Sequence, residues 1–176
     1  MQDLRLQVRP AAELTPALSA TIIALCQRAY EEDVAPLFAT FEGGTHVLGF
    51  LGAALAAHAM WVTRWLQPGD GPRLRTAYVE MVATEPRWQR RGFGAAVMRR
   101  TADAIGEYDL GALCPAETSL YARLGWAFWR GPLFIRSSAG LIPTPEERVM
   151  ILRTSHTPAL DLDQPLSAEW RAGELW

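Results

Sequence analysis

An α+β layered domain is the fold class this sequence predicts. Leu4, Leu6 and Val8 alternate with polar residues, as an early strand should. Ile22, Leu25, Cys26 and Ala29 recur at helical spacing soon after. The run Pro68-Gly69-Asp70-Gly71-Pro72 then marks a tight hairpin between two long apolar segments.

Taken in order, the first strand closes at Pro10 and a helix covers Leu14 to Tyr30. Glu31-Glu32-Asp33 opens a loop that contains Pro36 and is punctuated by Gly43-Gly44. Thr45 to Leu51 and Ala53 to Leu66 read as two strands joined by a short turn. The hairpin leads to a strand from Leu74 to Ala83. A helix from Phe93 to Ile105 puts Phe93, Val97, Thr101, Ala102 and Ile105 on one face. Leu110 to Cys114 is a short buried strand, and Thr118 to Leu124 is a short helix stopped by Gly125. Strand pieces at Ala127–Phe128 and Val149–Leu152 precede a Pro-rich tail.

A length of 176 residues suits one domain over residues 1–176 with a sizeable core, and 49% hydrophobic residues argue against disorder. A formal net charge of −2 argues against nucleic acid as a main partner. Cys26 and Cys114 form no C-x-x-C, and His46, His58 and His156 show no metal spacing, so no metal is expected. Asp3 and Arg5 interrupt any apolar start, and the apolar stretch from Val47 to Val62 is too short and broken to span a bilayer. The expectation is a cytoplasmic protein with no membrane partner.

The chemistry concentrates in Gln89-Arg90-Arg91-Gly92-Phe93-Gly94, between a strand and a helix. Two glycines in such a turn let backbone N–H groups converge on an anion without side chains crowding it. The positive end of the following helix points at the same spot. Between Glu85 and Asp103 every charged residue is an arginine: Arg87, Arg90, Arg91, Arg99 and Arg100. Arginine suits phosphate through its planar, permanently charged fork. A Walker loop needs Gly-Lys, and this chain has no lysine. A Rossmann fingerprint needs a third glycine where Val97 stands, near the start of the chain.

The pattern that survives, Gln/Arg-x-x-Gly-x-Gly/Ala, resembles the acetyl-CoA-binding motif of the GNAT superfamily of N-acetyltransferases. Leu120-Tyr121-Ala122-Arg123-Leu124-Gly125-Trp126 is similar to that family's second signature. Four further segments narrow the resemblance to the aminoglycoside 2'-N-acetyltransferases: Tyr78 to Ala83, Leu110 to Leu113, Gly125-Trp126 and the terminal Trp170-Arg171-Ala172-Gly173-Glu174-Leu175-Trp176. The Gly43-Gly44-Thr45-His46 turn agrees with them, and the likeness runs from about residue 28 to the end.

The resemblance implies an acyl-CoA N-acyltransferase fold, with a mixed, mostly antiparallel central sheet splayed between two strands and flanked by helices. It implies acetyl-CoA as co-substrate, with the pyrophosphate held by Gln89, Arg90, Arg91, Gly92, Phe93 and Gly94. Met81, Val82 and Ala83 would offer backbone groups to the pantetheine arm. Read from residues alone, Glu80 is either salt-bridged to a neighbouring strand, for example to Arg75, or a general base. The resemblance favours the base, which deprotonates the acceptor amine directly or through a water. Tyr121 is either a core tyrosine with a satisfied hydroxyl or, by resemblance, the group that assists the departing thiolate.

Acidic residues speak to the acceptor. Glu31-Glu32-Asp33, Glu146-Glu147 and Glu174 are solvated charges when taken singly; gathered around one cleft they would attract a polycation. By resemblance, Asp33, Glu174 and the carboxylate of Trp176 match antibiotic-contacting positions; with Glu80, Glu146 and Glu147 they make up the expected acceptor-binding set, for an aminoglycoside amine. The chain departs from the family at about Phe38, where a second acid is usual, and at Cys114-Pro115-Ala116-Glu117, which replaces a serine-rich stretch. The alternatives are an acetyltransferase acting on another small amine or a peptide N-terminus, and a non-catalytic acyl-CoA-binding regulator. The oligomeric state stays open; related enzymes are often dimers, and seven Trp residues leave room for an apolar interface.

Overall fold

A computed structural model describes residues 4–41 and 43–176. Asp3, invoked above, lies outside them. The chain divides into two compact units. The first comprises the described residues within 1–62 and 79–104; the second comprises 63–78 and 105–176. Among the described residues no helix is long and apolar enough to cross a membrane.

In the first unit, β1 (Arg5–Pro10) pairs antiparallel with β2 (Thr45–Leu51), with Val8 opposite Val47. β2 pairs antiparallel with the first part of β3 (Ala54–Pro68), with a register shift at Gly49/Phe50. Helix α1 (Pro16–Tyr30) is capped by the Thr15 hydroxyl, which accepts from the Leu18 N–H at 3.2 Å. Its apolar stripe buries Ile22, Leu25 and Cys26 against Leu48, Met60 and Met81. Helix α3 (Phe93–Ala104) packs over β1 and β2. Gly49 makes that approach close: a Cβ there would lie 3.2 Å from the Val97 side chain. The buried face of α3 is Val97, Met98 and Thr101; Phe93 and Ala102, expected on that face, are only half-buried. The loop expected after α1 holds a short helix, α2 (Ala35–Phe38). Asp33 starts it by accepting the Ala35 N–H at 3.1 Å.

In the second unit, the ends of β3 and β4 (Leu74–Thr84) join through the expected turn, closed by the Gly71 N–H on the Pro68 carbonyl at 2.9 Å. β4 pairs parallel with β5 (Leu110–Leu113) from Thr76↔Leu110 to Tyr78↔Ala112. Helix α4 (Ser119–Arg123) follows, then β6 (Ala127–Phe128) and β9 (Met150–Arg153), which pairs antiparallel with both β5 and β6. The Pro-rich tail is more ordered than its composition suggests. β7 (Leu133–Ser137) and β8 (Gly140–Pro143) make a hairpin, and β10 (Leu166–Glu169) runs parallel to β7 and antiparallel to β3. Short strands between prolines carry too few alternating positions to register as strands in a sequence.

Candidate active site

Within the first unit, the second half of β4 carries Glu80, Met81, Val82 and Ala83. The β4–β5 ladder ends at Tyr78, while β4 runs on to Thr84. Met81 departs from strand geometry, with φ at +52°. A left-handed, non-glycine residue inside a strand rotates its peptide out of the ladder, as a bulge does. Two side chains take up the carbonyls there. The His58 ring Nδ1 lies 2.8 Å from the Met81 carbonyl, and the Tyr30 hydroxyl donates to the Val82 carbonyl at 2.9 Å. Glu80 is half-buried between buried Val79 and buried Met81. Arg75 holds its guanidinium 4.1 Å above the Tyr108 ring.

The turn after β4 is built from a 3-10 turn at Pro86–Trp88 and the exposed run Gln89-Arg90-Arg91-Gly92. Glu85, which starts it, is held by Arg28 through Nη2 at 2.7 Å and by its own N–H on the Ala56 carbonyl at 2.9 Å. Arg90 at φ +60° and Gly92 at φ +85° both adopt left-handed backbone. Gly92 takes that conformation without the strain a side chain would bring, and a Cβ there would meet nothing within 4 Å. Its carbonyl accepts the Ala96 N–H at 2.9 Å, which begins the α3 ladder. The N–H groups of Phe93, Gly94 and Ala95 therefore have no acceptor inside the helix. Left-handed residues leading into free helical N–H groups, with open space above Gly92 and exposed Arg90 and Arg91 beside it, fit a diphosphate.

The second unit places Tyr121 on α4, with its ring edge-on to Trp126 at a centroid distance of 6.3 Å. Burial pushes its hydroxyl up to about 12. The neutral O–H therefore persists through the physiological range, where it can donate a proton or a hydrogen bond. The Trp126 indole N–H is buried beside it and has no hydrogen-bond partner among the described residues.

The acidic residues divide between the units. Asp33 belongs to the first, where Oδ1 also accepts from Gln27 Nε2 at 2.9 Å. Glu31, Glu32 and Glu80 belong to the first as well; Glu146, Glu147, Glu174 and Trp176 belong to the second. Cys114 Sγ lies 3.2 Å from Glu147 Oε2, the Glu147 N–H bonds the Thr144 carbonyl at 3.2 Å, and Trp176 Nε1 donates to Thr144 Oγ1 at 2.7 Å. Cys114, Glu147, Thr144 and Trp176 are thus one connected group. Glu147 and Thr144 also line a cleft of about 810 Å³ that includes Trp129, Phe134 and Arg148. Glu146 and Glu174 are exposed, and the Glu174 carbonyl accepts from Arg171 Nε at 2.5 Å.

Sequence reasoning missed Arg64. It is buried within β3 and donates to the carbonyls of Leu175 at 2.8 Å and Glu169 at 2.7 Å. Its guanidinium lies 4.8 Å above the Tyr78 ring and 5.9 Å from the Trp176 ring, with Glu169 Oε1 3.5 Å from Nε. The C-terminal tryptophan is thereby fixed by a buried cation. A lone arginine among Trp61, Val62, Trp65 and Leu66 was the available signal. The His46–His58 pair was missed as well, although both residues fall on adjacent strands two positions out of register: His46 opposes Met60, and His58 opposes Leu48.

A family profile for the acetyltransferase (GNAT) domain matches residues 13–129. The chain belongs to the GNAT acetyltransferases. Its α+β fold, with an open, mixed central sheet and flanking helices, is the one that family uses. This GNAT acetyltransferase is similar to an aminoglycoside 2'-N-acetyltransferase of Mycolicibacterium fortuitum, at 36% identity over 141 residues, covering 76% of this chain and 72% of that protein. Among solved structures, Eis1 from Mycobacterium abscessus matches 74% of the chain with a TM-score of 0.61 at 23% identity, and the chain spans 33% of its length. A GNAT family acetyltransferase from Brucella melitensis, solved with acetyl-CoA, matches 96% of this chain and 97% of its own length, with a TM-score of 0.61 at 13% identity. The chain is therefore an enzyme of the acetyl-CoA-dependent acetyltransferase class. Among the described residues no three of His, Cys, Asp and Glu group closely enough to hold a metal ion.

Proposed function

We propose that this acetyltransferase acetylates an amino group of an aminoglycoside, by direct transfer with the 2' amine as the favoured position. One observation carries the acceptor: 36% identity, over three quarters of the chain, to an enzyme of that specificity. The connected group of Glu147, Thr144 and Trp176, together with exposed Glu146 and Glu174, supports an acceptor rich in amines. Asp33 and Glu80 are the corresponding acids of the first unit.

On the donor side, the amides of Phe93, Gly94 and Ala95, the Gly92 turn and the side chains of Gln89, Arg90 and Arg91 would hold the diphosphate. The backbone of Met81, Val82 and Ala83 would align the pantetheine arm. Acetyl-CoA supplies an acyl thioester open to attack by a neutral amine. Most such amines are protonated at neutral pH, and Glu80 is the group that removes that proton. Tyr121, held neutral by burial, is the donor toward the departing sulfur. Holding both substrates supplies much of the acceleration through proximity.

The test is release of free thiol from acetyl-CoA across a panel of aminoglycosides, short peptides and simple polyamines. Turnover with aminoglycosides bearing a 2' amine, and loss of it with 2'-hydroxy analogues, is the expected result. Turnover confined to peptides would reassign the acceptor. Binding of acetyl-CoA with no turnover on any amine would favour a regulator.

A further inference from the structure

Two buried histidines stand next to the proposed catalytic strand, and nothing in the scheme above uses them. His46 and His58 are 1% and 0% exposed. His46 Nδ1 lies 2.9 Å from His58 Nε2, and His58 Nδ1 lies 2.8 Å from the Met81 carbonyl. The carbonyl can only accept, so His58 Nδ1 carries the proton. His58 Nε2 is then the acceptor and His46 Nδ1 the donor. Protons and lone pairs thus run in one direction, from His46 through His58 to the backbone of Met81. Cys26 Sγ, at 3.9 Å from His58 Nδ1, closes the pocket from α1.

We propose that His58, oriented by His46, is a positioning residue that locks the left-handed Met81 peptide and so aims Glu80 and the Val82–Ala83 backbone for acetyl transfer. This rests on the reading of those residues given above. The pin acts through the backbone. A methionine at φ +52° persists only where its surroundings over-determine it. Inside a strand its carbonyl would ordinarily join the ladder; here it turns to an imidazole Nδ1 at 2.8 Å, a far shorter contact than the 3.9 Å from that nitrogen to Cys26 Sγ. The Tyr30 hydroxyl on the next carbonyl, Val82, holds the other side of the bulge at 2.9 Å. Without the imidazole, Met81 can relax toward extended geometry. Because side chains alternate along a strand, a change at one residue re-aims its neighbours on both sides. Glu80 and Val82 are those neighbours. The diphosphate turn at residues 89–94 has separate anchors, Glu85 on Arg28 and on Ala56, and does not depend on this pin.

The experiment compares wild type with His58→Leu, His58→Asn and Tyr30→Phe. For each, kcat, KM, coenzyme A affinity by calorimetry and thermal midpoint are measured. Asn keeps a donor where Nδ1 stood; Leu does not. His58→Leu is expected to lower kcat about tenfold to a hundredfold, the scale of a small misplacement of reacting groups. Its coenzyme A Kd should rise by a smaller factor than kcat falls, since the separately anchored diphosphate turn keeps its hold while the pantetheine contacts weaken. His58→Asn should recover most of kcat despite losing the His46 contact. Should His58→Leu fail to fold, Tyr30→Phe carries the test, since Tyr30 is a surface residue: kcat should fall about threefold or more with KM nearly constant. Wild-type turnover by His58→Leu, equal losses in His58→Leu and His58→Asn, or an unchanged Tyr30→Phe in place of an unfolded Leu variant would overturn the pin. A wild-type protein that binds no coenzyme A would instead overturn the donor reading beneath it, and the pin with it.

Discussion

Acidification should destabilise this protein through His46 and His58 before most of its carboxylates titrate. Burial lowers His46 from 6.5 to about 4. Burial, then the neighbouring His46, lowers His58 from 6.5 to about 3, against a smaller opposing effect of the Met81 carbonyl. Well above pH 6.5 both rings are neutral whether the chain is folded or not, and neither contributes a pH dependence. Below it the unfolded chain binds two protons that the folded chain refuses, so unfolding becomes easier as pH falls. At pH 5 the gap from 6.5 costs about 2 kcal/mol for each ring, roughly 4 kcal/mol in all, at about 1.36 kcal/mol per unit. Ordinary stabilities are about 5–15 kcal/mol, so this is a large fraction. The loss deepens until the pH reaches the folded values near 4 and 3. Urea unfolding at pH 7.5 and pH 5.0, for wild type and a His46→Phe/His58→Leu double variant, measures it. The variant lacks both titrating groups, so its stability should fall by roughly 4 kcal/mol less than wild type over that interval. Equal falls in both proteins would show that the rings are not buried neutral, and the direction of the His46–His58–Met81 chain would be wrong.

Three further outcomes follow from the same geometry. Gly92→Val places a β-branched residue at φ +85°, and should abolish coenzyme A binding by calorimetry while costing about 1–3 kcal/mol in urea unfolding. Glu80→Gln should lower kcat by about a hundredfold near pH 7, with the deficit narrowing at high pH where the amine is already neutral, and should leave coenzyme A affinity unchanged. Arg64→Met removes the donor that holds the Leu175 and Glu169 carbonyls, and should cost about 3 kcal/mol in unfolding and raise KM for the acceptor more than KM for acetyl-CoA.

Legibility in the sequence followed the range of the interaction that sets each feature. The hairpin at Pro68–Pro72 and the β2 and β3 strands were readable because turn chemistry and alternation are local. The Gly92 turn was readable because only glycine tolerates its backbone without cost, so the constraint is written in one letter. Met81 was not, since nothing in its type announces φ +52°; the bulge is set by His58, from another strand. Arg64 and the C-terminal tryptophan meet only after β3 and the tail have folded together, more than a hundred residues apart in sequence. The acidic residues were legible as charges, but their partners were not. Asp33 spends an oxygen on starting α2, and Glu147 joins Cys114 and Thr144, which no spacing rule foretells. The strands of the tail were hidden because prolines break each into a run too short to show a period.

Titrating coenzyme A into the purified protein in a calorimeter tests the central claim most directly, because the donor site requires that the left-handed turn at Arg90 and Gly92 accept a diphosphate. Saturable one-to-one binding is expected, removed by Gly92→Val and weakened by added salt as the arginines are screened. Absence of heat with the wild-type protein, or equal binding by Gly92→Val, would contradict it.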